Sequence, residues 1–253
     1  MLAISRKPAL QLVAGALAFA LSSVSPASAK ATAEQDRRAE IERRIERLEA
    51  IKAVERLQSV YGYYQDRFFF QEVATLFSLQ QPRVQWGDNQ WEGADAVSHF
   101  WTDYMRGNLA EGADGPKAGK LFDMPQWQGV ITIAEDGTSA RARYRTLGRL
   151  ANYREVEYWI SGVYENEYVL EDGVWKFRSL KFCPTWSGIY TDGWQNSRPE
   201  TALAWLSPPK DAVAKPVAAA DACPAGYPSG STLPFHFVPS DPYATASGLG
   251  AEE

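Results

Sequence analysis

Histidine is scarce in this chain: His99 and His236 are the only two among 253 residues. Cysteine is as rare, with Cys183 and Cys223 alone. No Cys/His cluster therefore has the spacing of a metal site. Positive charge is also short. There are 26 Lys and Arg against 31 Asp and Glu, a net charge of −5. Without a basic surplus to neutralise phosphates, nucleic-acid binding is not expected. The sequence contains no G-x-S-x-G elbow, no Walker loop and no dinucleotide fingerprint. Readings as a hydrolase of that type, a kinase or a dehydrogenase are weak for that reason. Internal repeats are absent too.

The N-terminus reads as a targeting segment. Arg6 and Lys7 precede the apolar run "LVAGALAFALSSV", and "SPASA" follows with Ala27 and Ala29 at the −3 and −1 positions. The run is too short for a stable membrane span and fits a Sec-type signal peptide cleaved after Ala29. The expectation is an exported, periplasmic protein with no stable membrane span once mature, with retention as an uncleaved membrane anchor as the alternative. An oxidising compartment permits Cys183 and Cys223 to pair, with two separate free thiols as the alternative.

Tryptophan is abundant, with 9 residues. Each offers a large flat surface and one N–H donor, which suits a pocket for flat organic ligands or a Trp-rich core. The stretch "YGYYQDRFFF" at 61–70 sets one carboxylate, Asp66, among three tyrosines and three phenylalanines. A solvated loop has no use for six rings, and a plain core has no use for the acid. A carboxylate lining an aromatic pocket explains both.

Residues 31–60 read as a charged helix with Ile41, Ile45, Leu48, Ile51 and Leu57 as its apolar stripe. A short helix is expected around Phe70–Phe77, with Val73, Leu76 and Phe77 inward. "PRVQWGDNQWEG" reads as two short strands. "GADAVSHFWTDYM" reads as a third helix that buries Val97, Phe100, Trp101 and Met105, followed by a Gly-rich loop from about residue 107. Two hairpins follow, turning at Asp136-Gly137 and Asp172-Gly173. Helices in one block and strands in another make the α+β pattern. From Ser207 onward, Pro, Ala, Gly and Ser dominate and the chain reads as an extended tail. The expected organisation is a signal peptide at 1–29, a charged helical extension at 30–44, one domain at 45–206 and the tail at 207–253.

The stretches "YYQDRFFFQEVATLFS", "WEGADAVSHFW", "VITIAEDGTSARARYRTLG", "WISGVYENEYVLEDGVWKFRSLKF" and "TWSGIYTDGW" together resemble the SnoaL-like branch of the NTF2-like superfamily. The resemblance spans roughly residues 45–195. It implies a cone-shaped α+β barrel, with three N-terminal helices packed on a curved antiparallel sheet and a pocket between them. It also implies a domain that works without cofactor or metal and forms homodimers or homotrimers. Relatives of this type include dehydratases, polyketide cyclases, isomerases and aldehyde-releasing lyases, some acting on lignin-derived aromatics. Others bind or assemble without catalysis, so fold alone does not fix function.

By this resemblance Asp66 occupies the acid position that follows the first helix. Its aromatic neighbours should also raise its pKa and suit it to act as a base. Dehydratase-like members set histidines from the sheet beside that acid. Here the matching region offers Gln126, Trp127, Arg143 and Arg145 instead, which speaks against a histidine-based dehydration. His99 lies toward the edge of its helix face and reads as structural. Along "WISGVYENEYV", one face carries Trp159, Ser161, Val163, Glu165 and Glu167, and the other Tyr158, Ile160, Tyr164 and Tyr168. Either face could line the cone. The catalytic candidates are Asp66, Tyr64, Arg145 and Glu165. The candidates for holding substrate are Tyr61, Trp86, Trp101, Trp127, Tyr164 and Trp186. The expected activity is a cofactor-independent lyase that eliminates water, or a small aldehyde such as formaldehyde, from a small aromatic molecule. The alternatives are an isomerase or cyclase, and a periplasmic binding or assembly module without turnover.

Overall fold

The computed structural model describes residues 26–193 and 214–223. Residues 1–25 of the expected signal peptide at 1–29, together with Trp194, Trp205 and His236, lie outside the described residues. Contacts divide the chain into residues 1–43 and 44–253. Among the described residues no helix is long and apolar enough to cross a membrane.

The first helix, α1 (Pro26–Asp66), is longer than its apolar pattern predicts. Glu, Arg, Ala and Leu favour helix throughout, and no Gly interrupts it before Gly62. Ion pairs one turn apart, Glu40–Arg43 and Lys52–Glu55 (both 2.7 Å), add only a few tenths of a kcal/mol each. The expected stripe is only partly buried: Ile51 and Leu57 pack against the core, while Ile41, Ile45 and Leu48 are exposed. The buried face is Val54, Gln58, Tyr61 and Gln65, spaced by four, three and four residues. Two of these are amides, which a hydrophobicity pattern reads as solvent-facing. The helix stops at Phe68, whose φ of +59° ends the α-helical repeat. The Tyr64 carbonyl then accepts the Phe69 N–H at 2.9 Å.

Next come α2 (Phe70–Thr75), which buries Phe70 and Val73, and the hairpin of β1 (Arg83–Trp86) and β2 (Asn89–Glu92). The third helix begins as α3 (Ala94–His99), widens into a π-helical turn over Phe100–Met105 and closes as α4 (Arg106–Ala110). The wider turn brings Phe100, Trp101, Tyr104 and Met105 inward together. The helix therefore runs past residue 107, where a loop is expected, and buries Leu109 and Ala110 as well.

The sheet is built from β3 (Lys120–Asp123), β4 (Gln126–Ile133), β5 (Ser139–Asn152), β6 (Val156–Glu171) and β7 (Val174–Ile189), with β1, β2 and β8 (Val217–Ala218) beyond. The order is β3-β5-β6-β7-β1-β2-β8, with β4 also on β5. Both long hairpins turn where expected. At the second turn Asp172 and Gly173 both have positive φ, as a two-residue turn matched to strand twist requires. The sheet curves without closing and is mixed rather than wholly antiparallel, because β1 joins β7 in parallel. The architecture is the expected α+β, NTF2-like one: helices against a curved sheet, with an aromatic core between them.

Part of the tail is tied to the domain. Among its described residues, β8 pairs with β2, and Cys223 forms a disulfide with Cys183 of β7. The Gln85 amide donates to the Asp221 carbonyl at 2.8 Å, and the Trp91 indole to the Ala214 carbonyl at 3.2 Å. A segment with no periodicity is thus held by one covalent bond and by groups of the domain.

Candidate active site

Asp66 is the last residue of α1 and is half-buried. Its Oδ1 accepts the backbone N–H of Met124 at 2.9 Å. Burial raises its pKa, the Met124 N–H lowers it, Asp123 raises it and Arg67 lowers it. The balance takes the carboxyl from its ordinary 3.8 to about 6. The carbonyls at the end of α1 act in the same direction as burial, because a helix C-terminus disfavours negative charge. A carboxyl poised at this value changes protonation close to neutral pH, as a general base or acid must.

The chain between β3 and β4 fixes the Met124 donor. Asp123 Oδ2 accepts from Arg149 Nη2 at 2.6 Å. Gly148 of β5 lies beneath: a Cβ there would collide with Met124 Sδ and come within 2.8 Å of the Asp123 carbonyl. Gln126 follows, and its amide reaches α1 through Gln58. Gly148→Ala is expected to push this segment off β5, cost about 1–3 kcal/mol in urea unfolding and raise the Asp66 pKa further by weakening the Met124 bond. Unchanged stability together with an unchanged carboxyl titration would show that the close packing does not hold the donor.

Behind Asp66 lies the aromatic interior. Tyr61 meets Trp101 and Tyr164 edge-on, with ring centroids at 5.7 and 6.2 Å. Trp86 sits 6.4 Å from Tyr164 and 4.6 Å from Phe182. The Tyr164 hydroxyl is close enough to the Tyr61 hydroxyl and the Gln65 amide for both to influence its acidity. Yet the Tyr61 and Tyr164 hydroxyls, both ends of the Gln65 amide and the indole N–H groups of Trp86 and Trp101 complete no hydrogen bond, although all are buried. Burial pushes both tyrosine pKa values upward, so these hydroxyls stay protonated as donors.

One turn back along α1 the opposite holds. Gln58 donates to Gln126 and accepts from Asn166 Nδ2 at 2.9 Å and from the Tyr168 hydroxyl. The Lys181 backbone N–H donates to Asn166 Oδ1 at 3.2 Å. Buried amides are thus satisfied at one level of the interior and left open at the next.

A family model described as the SnoaL-like domain matches residues 46–181. The chain belongs to the SnoaL-like domain family. Solved structures similar to this SnoaL-like chain include a candidate scytalone dehydratase of Novosphingobium aromaticivorans. It is 22% identical over 57% of this chain and 90% of that one, with a TM-score of 0.48. A hexachlorocyclohexane dehydrochlorinase, LinA-type3, of Novosphingobium barchaimii is 17% identical over 57% and 92%, with a TM-score of 0.47. An NTF2-like protein with a cystatin-like fold from Novosphingobium aromaticivorans is 14% identical over 55% and 84%, with a TM-score of 0.44. Among curated proteins none matches.

Within the SnoaL-like domain, the Tyr158–Tyr168 face of β6 is the one that meets the helices: Ile160, Tyr164 and Tyr168 are buried at 1% exposure or less. Glu165 lies on the other face, where Arg143 Nε donates to it at 3.0 Å. Arg145 is exposed on the same outer face and reaches Gln128 at 3.3 Å. The structure therefore does not bring Arg145 and Glu165 to Asp66. Tyr64 packs edge-on against Phe69 at 6.4 Å and is half-buried at the border of the core. Trp127 is half exposed on β4, and Trp186 is half-buried opposite Ser161 on β7. Tyr61, Trp86, Trp101 and Tyr164 do come together. His99 pairs with Asp103 on the exposed side of its helix, away from the buried face. Gln58, Gln65, Asn166 and the Met124 backbone were not among the candidates. The 54-58-61-65 spacing was the signal for the two glutamines. Glu165→Gln is expected to leave turnover as in wild type and to cost less than about 1 kcal/mol of stability. A loss of activity in that variant would return the outer face to consideration.

Proposed function

We propose that this SnoaL-like protein is a cofactor-independent lyase acting on a small aromatic molecule, with Asp66 as its base. The supporting observation is the half-buried carboxyl, raised to about 6 and held by the Met124 N–H, at the edge of an interior lined by rings and open hydroxyl donors. Ionised Asp66 would take a proton from the substrate. In a dehydration, the electron pair of that C–H bond forms the new double bond while the C–O bond breaks. The leaving oxygen then takes a proton from the newly formed carboxylic acid. In aldehyde loss, Asp66 would take the hydroxyl proton, the C–C bond would break to release the aldehyde, and the carbanion would recover the proton. Tyr61 or Tyr164 would stabilise the developing negative oxygen by donating to it. Trp86 and Trp101 would hold the ring. Export to the periplasm belongs to this proposal, and the Cys183–Cys223 disulfide supports an oxidising compartment.

The test is turnover of the purified mature protein on a panel of aromatic alcohols and aryl dimers, followed by mass spectrometry for loss of water or formaldehyde. Wild type should turn over a member of the panel and Asp66→Asn should not. Equal rates in both would remove Asp66 as the base. Saturable ligand binding with no turnover would favour the binding module.

A further inference from the structure

Among the described residues, no Lys, Arg, His, Asp or Glu is fully buried. The polar groups of the interior are neutral, and those around Tyr164 are mainly donors without partners. Tyr61, Gln65, Trp101 and Tyr164 are each 0% exposed, and Trp86 is 3% exposed. An orphaned buried donor costs about 1–3 kcal/mol, and folded proteins keep few of them. Six of the buried atoms without a partner lie in this one neighbourhood, beside Gln58 of the same helix, whose amide is bonded at both ends. The chain can satisfy buried amides where it needs to, so the open set has the character of a socket.

We propose that this socket selects an uncharged, flat ligand carrying oxygen acceptors, a carbonyl or ether oxygen on an aromatic ring, and rejects the matching carboxylate. Tyr61 and Tyr164 donate to those oxygens. The Gln65 amide takes either a donor or an acceptor, and the two indole N–H groups can only donate. No buried cation is present among the described residues to neutralise an anion. The charge of Asp66 reaches Tyr61 and Tyr164 and repels one, while Arg67 is exposed to solvent. Arg143 is committed to Glu165 on the outer face, and Arg149 to Asp123. An anionic ligand would therefore lose its hydration and gain no ion pair. This deepens the lyase reading and rests on the interior being its substrate site.

The probes are 4-methoxyacetophenone and 4-methoxybenzoate, titrated at pH 8 by calorimetry into the full mature protein. The ketone should bind at least about tenfold more tightly than the carboxylate, the size expected for an uncompensated buried charge. Tyr61→Phe and Tyr164→Phe should each weaken the ketone about five- to tenfold, the loss expected for one hydrogen bond. Both variants should stay close to wild-type thermal stability without ligand, because neither hydroxyl completes a hydrogen bond, although the two lie near each other and near the Gln65 amide. Asp66→Asn should still bind the ketone. Equal affinity for the two probes, unchanged ketone affinity in both phenylalanine variants, or no ketone binding at all would overturn the inference. Ketone binding without turnover of any aromatic alcohol would leave the socket standing and remove only the lyase.

Discussion

Asp66→Asn is expected to abolish turnover and, above pH 6, to make the protein more stable. The two effects share one cause. A carboxylate held among rings is costly, and the fold tolerates that cost where the charge is used. Asn keeps an oxygen to accept the Met124 N–H and removes the charge. Loss of a general base lowers the rate by about 10²–10⁴-fold. The stability effect follows from linkage. Below pH 3.8 the carboxyl is protonated in the folded and unfolded chain alike and contributes nothing. Between there and about 6 the unfolded chain ionises while the folded one stays protonated, so stability falls as pH rises. Above about 6 the loss is complete and constant. The gap between 3.8 and about 6 corresponds to about 3 kcal/mol at most, and partial exposure reduces it to about 1–2 kcal/mol. Urea unfolding of wild type and variant at pH 4 and pH 8 should show little difference at the first and the variant clearly ahead at the second. Wild-type activity should rise with pH through about 6, as the base ionises. A variant less stable at pH 8 would mean that the carboxylate is held by favourable contacts rather than against burial.

Cys223→Ser should cost the protein more stability than any of the polar substitutions considered above. The bridge joins residues 40 apart in the sequence, and closing a loop of that length stabilises a fold by about 2–4 kcal/mol. What it ties down is the segment that covers β2. Without it, the two-residue ladder of β8 on β2, the Gln85 bond to Asp221, the Trp91 bond to Ala214 and the Lys181–Asp221 ion pair remain. Those contacts are weak by comparison with a covalent bridge. Cys183 also follows Phe182, whose ring lies 4.6 Å from Trp86 and 4.9 Å from Tyr164. The variant, or the reduced wild type, should therefore unfold at lower urea and hold aromatic ligands less tightly. Identical midpoints with and without reductant would show that the tail segment contributes nothing to the domain.

The fold was legible where local chemistry is strict. Asp-Gly turns placed both long hairpins, and the aromatic spacing of the third helix named Val97, Phe100, Trp101 and Met105 as buried. Asp66 stood out because one acid among six rings has few structural uses. The outward turn of Glu165 was harder to see, because a strand with acids on one face and tyrosines on the other can be read either way. Its register decides: Glu165 lies opposite Arg143 and Glu167 opposite Arg141. Charges paired across neighbouring strands point to a solvated face. Gln58 and Gln65 escaped notice because amides lower a helix's apparent hydrophobicity even where they are buried. The β8 segment carries no pattern at all, since two residues joined by ladder bonds and one disulfide need none. The parallel pairing of β1 with β7 comes from the long excursion through β2, the third helix and the strands β3 to β6, and no local signal records it.

The most direct measurement is the titration of the Asp66 side-chain carboxyl, followed by carbon NMR in protein labelled at aspartate and assigned with Asp66→Asn. The account predicts a midpoint of about 6. A midpoint near 3.8, the ordinary value, would contradict it, since the carboxylate would then be too weak a base for the proposed proton abstraction.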